Sequence, residues 1–282
     1  MASVLGTNVA SLWAAKNLQS AQSNMAQSVE RLSSGLRINR ARDDAAGLGV
    51  SNALTQQINS ANMGVRNLND GISLVQTAEG AISAASDMAQ RILALSVQAT
   101  NGILSSDQRD SIQKEMQALL TGIDTISTRT KLSGTTLLAG TTVTFYSGSS
   151  SSESVSVTAS SLAKVSTGGS ALTLNTHITT AATTASQSVT LWQSISTAAT
   201  AYITALDKQR AELGAIQNQM EYSVSNIDEL TTNLSSARSR VMDTDYASET
   251  SQLTKGQILQ QAATAMLAQA NQMPNVILSL LK

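Results

Sequence analysis

The most regular pattern in this sequence runs through LDKQRAELGAIQNQMEYSVSNIDELTTNLSSARSRV, residues 206–241. A large aliphatic side chain returns at every seventh position: Leu206, Leu213, Met220, Ile227, Leu234 and Val241. A seven-residue apolar repeat predicts a long helix with one narrow apolar seam. Such a helix buries too little apolar surface by itself to be stable in water, so the seam requires partner helices.

Helices upstream of this stretch are the expected partners. Apolar residues recur at helical spacing within residues 10–38 and 45–99, and a third helix follows the turn signal at Asn101-Gly102. Ser105 and Gln108 have the spacing of a capping box, which marks the start of that third helix. The short connection predicts that the second and third helices pack antiparallel.

The middle of the chain has a different character. Residues 141–187 are rich in Ser and Thr, and two short runs in this region alternate with a period of two. The first run is Thr141-Val143-Phe145 and the second is Ser154 to Val157. Such alternation on both sides of a Gly/Ser-rich connector predicts a β-hairpin.

Near the C-terminus the helical pattern is predicted to stop at about residue 240, where MDTDYASET intervenes, and to resume over residues 257–270. Pro274 is predicted to break this last helix, because proline removes a backbone donor. The strongly apolar end NVILSLLK favours burial in a complex. The predicted fold is therefore mainly α: an elongated antiparallel helical bundle or coiled coil formed by pairing the N- and C-terminal regions, with a small β-hairpin region in the middle.

Composition excludes several functions. The net charge is -1 and the Lys and Arg residues are scattered, which gives no basis for binding nucleic acid. His177 is the single histidine and there is no cysteine, so no ordinary zinc site can form, and His177 is interpreted as a loop residue. Asp43-Asp44, Asp243 and Asp245 are predicted to cap helices. No catalytic, cofactor-binding or metal-ligating residue is predicted, so the chain is not expected to be an enzyme.

Membrane insertion is not expected either. The sequence has no run of 18 consecutive apolar residues, which a membrane-spanning helix requires. The N-terminal residues lack a basic leader and a hydrophobic block, so a cleavable secretory signal is not predicted.

Three blocks of sequence closely resemble bacterial flagellins. They are ERLSSGLRINRARDDAAGLGVS (residues 30–51), SARSRVMDTDY (residues 236–246) and QILQQAATAMLAQANQMPNVILSLL (residues 257–281). The resemblance extends over about residues 1–140 and 188–282, at both ends of the chain. It implies a structural subunit that self-assembles into the bacterial flagellar filament for motility, outside the cell, after export by the flagellar type III apparatus.

The resemblance also implies a domain organisation. Residues 1–43 and 244–282 correspond to the terminal helices that line the inner tube of the filament. Residues 44–140 and 188–243 correspond to a helical bundle domain, and residues 141–187 form a Ser/Thr-rich hairpin segment. This middle is too short for a large outer domain, so the chain resembles a short form of the family.

Partners follow from the same resemblance: other copies of the chain, a flagellar export chaperone, the filament cap and hook-associated proteins. The polymerisation and chaperone tail would use Ile258, Leu259, Met266, Leu267, Val276, Ile277, Leu280 and Leu281. Toll-like and inflammasome receptors of a host are further implied partners. The Toll-like receptor patch resembles QRILALSVQATNG, with candidate contacts Gln90, Arg91, Leu95, Gln98 and Glu115. Many receptor-active flagellins carry Arg-Glu where this chain has Leu93-Ala94.

Two other interpretations remain open at this point. A hook–filament junction protein of the same superfamily would form short junctions, whereas a filament subunit forms long polymers. A soluble coiled-coil signalling or adhesin module would have ordered ends without assembly. The Ser/Thr-rich middle also suggests O-linked glycosylation as a hypothesis.

Overall fold

The computed structural model describes residues 7–132, 134–138, 140, 142–148, 153–158, 174–180 and 189–280, and it describes the side chains of the last helix as far as Gln272. This described part is mainly α. Its helices are α1 (Val9–Ser34), α2 (Ala45–Ala99), α3 (Ser106–Arg129), α4 (residues 174–180), α5 (Val189–Met242) and α6 (Tyr246–Leu280). Its strands are β1 (Lys131–Leu132), β2 (Thr135–Thr136), β3 (Thr142–Tyr146) and β4 (Ser154–Thr158).

The expected fold class is confirmed, including the hairpin in the middle of the chain. Strands β3 and β4 pair antiparallel, with Val143 opposite Val157 and Phe145 opposite Val155. A second, smaller antiparallel pair is formed by β1 and β2. Thr141, the first residue of the predicted strand pattern, lies outside the described residues.

The chain divides into two compact units. Unit 1 contains Met1–Ile58 and Thr232–Lys282, and unit 2 contains Asn59–Thr231. Helices α2 and α5 therefore contribute residues to both units. The predicted boundaries, after residues 43 and 243, fall in the loops 35–44 and 243–245 between helices, whereas the units divide inside α2 and α5.

Unit 2 contains a continuous hydrophobic core. Aliphatic side chains of α2 recur at helical spacing and are buried, as Leu68, Val75, Ile82 and Ile92 show. They pack in one cluster with buried side chains of α3, α5, the β3–β4 hairpin and α4, among them Met116, Ile123, Leu206, Leu213, Met220, Val157 and Ile178. The two largest buried side chains in the described residues are Trp192 and Tyr202, both on α5. Burial raises the pKa of the Tyr202 hydroxyl well above its ordinary value, and the negative charge of Asp124 raises it further.

A glycine on α2 lets the β3–β4 hairpin approach the helix. A Cβ atom at Gly64 would overlap the backbone carbonyl of Ser147, the residue that follows β3. The neighbouring Asn67 donates a hydrogen bond from Nδ2 to the carbonyl oxygen of Tyr146 at 2.9 Å. The absence of a side chain at Gly64 is thus what allows the backbone of the hairpin to lie against α2.

Helix α1 is shorter than the predicted range 10–38. It ends at Ser34 because Gly35 adopts the left-handed conformation, with φ 72°, and its N–H bonds to the carbonyl oxygen of Arg31. This is the usual role of glycine just after a helix. Gly35 lies inside the predicted range, whereas in the structure it ends the helix.

Helix α6 is much longer than the predicted range 257–270. It begins at Tyr246 because Asp245 Oδ1 accepts hydrogen bonds from the backbone N–H groups of Ala247 (3.0 Å) and Ser248 (3.4 Å). It continues past Pro274 to Leu280, so the predicted break at the proline is wrong. Proline leaves the carbonyl four residues earlier without its helical donor, and here a side chain from α1 supplies one, as described below.

Two smaller predictions are also corrected. His177 lies in α4 and is half-buried, so it is not a loop residue. Asp44 caps α2 by accepting a hydrogen bond from Gly47 N at 2.8 Å, as predicted. Asp43 does not cap the helix. Its Oδ2 accepts from the N–H groups of Arg40 (3.0 Å) and Asn39 (3.3 Å) and so folds the loop before α2.

Candidate functional site

The helices from the two ends of the chain pair antiparallel in unit 1, and their contacts extend over the whole length of α1. At one end, Asn8 Nδ2 donates a hydrogen bond to the carbonyl oxygen of Ala270 at 2.8 Å, and Ser11 Oγ donates to Asn271 Oδ1 at 2.9 Å. At the other end, Arg31 Nη1 lies 3.6 Å from Glu249 Oε2. The N-terminal and C-terminal sequences, more than 200 residues apart, therefore form one structural pair.

Small residues form the contact between α1 and α6. Ala21 and Ala270 are among the few buried apolar residues of the pair, and Gly256 is buried against the backbone of Met25. Small side chains let two helices approach closely but bury little apolar area. Some larger apolar side chains of the pair, such as Leu18 and Met25, are half-buried, and others are left exposed.

Among the described residues, eight large apolar side chains on these two helices are exposed, and we call six of them, without Val29 and Tyr246, the α1–α6 apolar surface. On α1 they are Val9, Leu12 and Trp13, and on α6 they are Ile258, Leu259 and Met266. Their exposed fractions run from 48% for Leu259 to 64% for Met266. Concentrations of exposed apolar residues on this scale mark sites of interaction with another molecule.

A groove of about 500 Å³ lies between the two helices and is lined in part by residues of this surface. Its lining combines Trp13, Leu259 and Met266 with alanines such as Ala14 and Ala263 and with a few Asn and Ser side chains. A largely apolar groove between two helices can receive the protruding apolar side chains of another helix. The site has the chemistry of a docking surface.

The α1–α6 apolar surface carries almost no charge. Lys16 is the only charged residue between Val9 and Val29, and its ammonium lies 5.5 Å from the centre of the Trp13 ring. No residue from Gly256 to Leu280 is formally charged. Desolvating this surface therefore costs little, because few ions have to leave water.

The loop that follows α1 and the loop that precedes α6 are tied together by backbone pairing. Leu36 and Asp243 form an antiparallel bridge, and Thr244 N donates to the carbonyl oxygen of Gly35 at 3.0 Å. Arg37 reinforces the connection twice, through its backbone N to the Met242 oxygen (2.6 Å) and through Nη2 to the Val241 oxygen (2.7 Å). This pairing sets the register in which the terminal helices meet.

Electrostatics stabilise the loop before α2. The backbone N–H of Arg40 is the main cause that holds the pKa of Asp43 below its ordinary value, with a second contribution from the N–H of Asn39 and a smaller one from the Arg42 cation. A nearby ion pair joins Arg40 Nη2 to Glu30 Oε1 at 2.8 Å. These contacts hold the chain between α1 and α2 in one conformation.

The predicted seam residues differ in their surroundings. Leu206, Leu213, Met220 and Ile227 are buried in unit 2, at 8% exposure or less. Leu234 and Val241, which belong to unit 1, are only half-buried. The seam thus lies in the core of unit 2 over its first four residues.

The candidate receptor residues lie on α2 and α3. Gln90, Arg91, Gln98 and Glu115 are exposed, and Arg91 bonds to Glu115 Oε1 through Nη2 (2.8 Å) and Nε (2.9 Å). Leu95 is 2% exposed, so its side chain is not available for direct contact with another protein. Leu93 is half-buried and Ala94 is exposed.

The predicted tail residues can be placed only in part. Ile258, Leu259 and Met266 are exposed, and Leu267 is half-buried. The side chains of Val276, Ile277, Leu280 and Leu281 lie outside the described part of the structure, as does most of the Ser/Thr-rich segment for which glycosylation was considered. Within the described residues no helix is long and apolar enough to cross a membrane, and no group of acidic or histidine side chains is placed to hold a metal ion.

Sequence reasoning did not single out Asn8, Trp13 or Arg37, which are prominent in unit 1. Trp13 had a usable signal, since adjacent Leu12-Trp13 in a helical pattern places two large apolar side chains about 100° apart, too wide for a narrow seam. Asn8 and Arg37 had none, because each bonds to a backbone carbonyl more than 200 residues away.

Comparison with known proteins reveals relatives over the whole chain. Residues 5–143 match the bacterial flagellin N-terminal helical region, and residues 196–281 match the bacterial flagellin C-terminal helical region. The chain is 38% identical to the flagellin of Bacillus subtilis (strain 168) over 299 residues, which covers 98% of each chain. It is also 38% identical to the flagellar filament 33 kDa core protein of Treponema phagedenis over 296 residues, covering 99% of this chain and 100% of the relative.

Among solved structures, the chain aligns with the crystal structure of Bacillus cereus flagellin. The two are 22% identical, and the alignment covers 61% of this chain and 94% of that chain, with a TM-score of 0.47.

Proposed function

The chain belongs to the bacterial flagellin family, and we propose that its copies contact one another through the α1–α6 apolar surface. As a member of this family it is a structural subunit of the extracellular flagellar filament, it polymerises with itself, and it is not an enzyme. The proposal concerns which residues carry out the assembly.

The observation that supports this proposal most strongly is the exposure of six large apolar side chains on two helices with few charges. Burying the exposed half of each side chain would contribute about 1 kcal/mol, or about 5–9 kcal/mol for the six. The loss of translational and rotational freedom on association offsets several kcal/mol of that gain. One pair of subunits would therefore bind weakly through this surface, and many repeated contacts in a polymer would bind stably.

We also propose separate roles for the domains in the filament. Residues 1–43 and 244–282 would line the inner tube of the filament, and residues 44–140 and 188–243 would form the surrounding helical bundle. The core of unit 2 supports a role for the bundle as a rigid body, since its seam side chains are buried within a single chain. Residues 141–187 would extend this bundle as a short hairpin segment without a large outer domain.

A subunit with such a surface needs protection before it assembles. We propose that a flagellar export chaperone covers the tail residues Ile258, Leu259, Met266 and Leu267, together with Val276, Ile277, Leu280 and Leu281, during type III export. The filament cap and hook-associated proteins would contact the same helices at the ends of the filament. The exposure of Ile258, Leu259 and Met266 supports this role, because exposed apolar residues of this size favour aggregation when they are left uncovered.

Recognition by host innate receptors is a further proposal. The exposed side chains of Gln90, Arg91, Gln98 and Glu115 would form the contact for a Toll-like receptor, with Leu95 acting from below by fixing α2 in the core. The Arg91–Glu115 pair would present its charges in a fixed geometry. An inflammasome receptor would bind the C-terminal tail instead.

The assembly proposal is tested by placing a negative charge on the α1–α6 apolar surface and at a control position. Leu259→Glu and Trp13→Glu are expected to abolish filaments in seeded polymerisation, scored by electron microscopy and sedimentation, because each places a carboxylate in the proposed contact. Ile103→Glu is the matched control: Ile103 is 90% exposed in the turn of unit 2 and should not affect assembly. Long filaments formed by Leu259→Glu and Trp13→Glu would contradict the proposal.

The two alternatives gain no support from the relatives. The matched proteins are named as flagellins and as a flagellar filament core protein, and none of those reported above is a junction protein or a coiled-coil signalling module. Seeded polymerisation separates the cases as well, since a junction protein would give only short assemblies and a soluble module none.

A further inference from the structure

The turn between α2 and α3 contains a residue pair that is prone to spontaneous chemical change. Asn101-Gly102 is the only Asn-Gly pair in the sequence, and both residues are exposed. Apart from the two adjoining residues, no atom lies within 4 Å of the position that a Cβ at Gly102 would occupy. Water therefore reaches the peptide bond between the two residues, and glycine allows it to bend freely.

The side chain of Asn101 is folded back over the following peptide nitrogen. Asn101 Oδ1 accepts a hydrogen bond from Ile103 N at 3.2 Å, which closes an Asx turn around the Gly102 nitrogen. This bond also withdraws electron density from the amide carbon Cγ. Within the described residues the Gly102 N–H donates no hydrogen bond of its own. The Gly102 nitrogen, which is the nucleophile of a ring closure, and Asn101 Cγ, which is its electrophile, are thus held in one turn. The Gly102 nitrogen is not engaged in a backbone hydrogen bond.

The main-chain carbonyl oxygen of Asn101 has a different environment. It accepts a hydrogen bond from Arg109 Nη2 at 3.0 Å and a second from Leu104 N at 3.3 Å. One of these donors carries a full positive charge, and hydrogen bonds with an ionised donor or acceptor are roughly twice as strong as those between neutral groups. These two donors would therefore stabilise a negative charge on the main-chain oxygen of Asn101.

We propose that Asn101 is a site of self-deamidation and that Arg109 directs the product toward isoaspartate. The Gly102 nitrogen loses its proton to water and bonds to Asn101 Cγ. The bond from Cγ to the side-chain nitrogen breaks, and ammonia leaves with a proton from water. A five-membered succinimide results, with no change in oxidation state. One water molecule then opens the ring by adding to one of its two carbonyl carbons.

The carbonyl carbon to which water adds determines the product. Addition at the former side-chain carbonyl gives aspartate. Addition at the former main-chain carbonyl gives isoaspartate and releases an α-carboxylate, whose oxygen is the one that Arg109 and Leu104 N hold. Both donors stabilise the negative charge that develops there, so the isoaspartate route is favoured. The proposal stands independently of assembly, because it needs only the turn itself.

The experiment follows the native protein during incubation in mildly alkaline buffer. Peptide mass spectrometry should detect replacement of the side-chain NH₂ by OH at Asn101, and an isoaspartyl methyltransferase with labelled S-adenosylmethionine should identify the isoaspartate. Asn59 is the internal control: it precedes Ser60 inside α2, where the nitrogen of the next residue belongs to the helix. Asn101 is expected to lose its amide several-fold faster than Asn59. Equal rates at both residues would overturn the deamidation site.

Variants separate the two parts of the proposal. Gly102→Ala should slow the loss of the amide several-fold without affecting the fold, since space around Gly102 is open. Arg109→Gln should lower the ratio of isoaspartate to aspartate, and Arg109→Lys should partly restore it. If the Arg109 variants fail to fold, a short unfolded peptide with the sequence of this turn replaces them in the comparison. Its ratio of isoaspartate to aspartate should be below that of the native chain. A ratio equal in the native protein and the peptide would refute the role of Arg109.

Discussion

The side-chain amide of Asn8 donates a hydrogen bond to the carbonyl oxygen of Ala270, 2.8 Å away. This carbonyl lies four residues before Pro274 and is the one whose helical donor the proline lacks. The residue that starts α1 thus completes the hydrogen bonding of α6 across 262 positions of sequence. A proline can remain inside α6 because the partner helix supplies the missing donor.

This relationship predicts a coupling between Asn8 and Pro274. Asn8→Ser keeps a side chain that can cap α1 but is too short to reach Ala270, so it should lower the free energy of unfolding by about 1–3 kcal/mol. In a Pro274→Ala background the helix regains its own N–H, and the same substitution should cost close to nothing. Urea denaturation followed by far-UV circular dichroism measures all four members of the cycle. Equal costs in both backgrounds would contradict the pairing, and Ser11→Ala controls for general effects at this end of α1.

A second prediction compares two ion pairs of unit 1. Arg31 and Glu249 are 3.6 Å apart, with their side chains 25% and 8% exposed, whereas Arg40 and Glu30 are closer, at 2.8 Å, but 58% and 33% exposed. Arg31→Met should lower the free energy of unfolding by about 1–3 kcal/mol, because it leaves a buried carboxylate without a partner. Arg40→Met should cost only about 0–1 kcal/mol, since water already solvates both groups. Urea denaturation measures the decrease in the free energy of unfolding for each variant. A larger decrease for Arg40→Met than for Arg31→Met would contradict this prediction.

The third prediction concerns acid stability and Asp43. Its pKa is lowered in the folded state, chiefly by the N–H of Arg40 and then by that of Asn39, so folding favours the ionised carboxylate. The stabilisation is present above the unfolded pKa, about 3.9, and is lost as the pH falls through the folded value. Thermal melts between neutral pH and that range should therefore show a decline that is smaller in Asp43→Asn. Asp44→Asn at the neighbouring helix cap provides a comparison, and an unchanged decline in Asp43→Asn would refute the assignment.

The fourth prediction uses two leucines of α5 within unit 2. Leu213 is 3% exposed and Leu230 is 48% exposed, although both are leucines of the same helix. Leu213→Ala should cost about 2–5 kcal/mol, because it creates a cavity in the core. Leu230→Ala removes the same atoms from a site that is already in contact with water and should cost about half as much or less. Hydrogen exchange of α5 measures the local difference, and equal losses would show that the core does not lie where these exposures place it.

Sequence patterns predicted the helices well where local chemistry determines them. The bounds of α2 follow from its periodicity, and the predicted capping box of Ser105 and Gln108 is present at the start of α3. The ends of α1 and α6 were missed for different physical reasons. At Gly35 the choice between a weak helical residue and a helix end depends on a backbone conformation, which composition does not reveal. At Pro274 the outcome depends on Asn8, whose position beside Ala270 is a property of the folded chain alone.

The residues of the candidate site were likewise predicted only in part. The exposed apolar residues of the last helix lie in a block whose resemblance to flagellins already indicated a polymerisation surface. Trp13 was missed because a residue in a helical pattern is usually assigned to the core, and only the folded pair shows that small residues such as Ala21 occupy the contact between the helices. The resemblance thus predicted that the terminal helices pair, and the packing of the pair determines which of their faces is exposed.

The last prediction tests how the β3–β4 hairpin docks on α2, with two glycines of that helix as a matched pair. A methyl group at Gly64 would overlap the backbone carbonyl of Ser147, whereas nothing lies within 4 Å of the same position at Gly80. Backbone cannot move aside as a flexible side chain can, so Gly64→Ala should lower the free energy of unfolding by about 1–3 kcal/mol and displace the hairpin. Gly80→Ala should instead raise it by about 0.5–1 kcal/mol, because alanine loses less conformational freedom than glycine in a helix. Thermal melts give the sign of both changes, and hydrogen exchange of the amides in Thr142–Tyr146 reports on the hairpin itself. Since the two substitutions are chemically identical and lie in one helix, opposite signs would assign the difference to the contact with Ser147, and equal stabilisation would refute that contact.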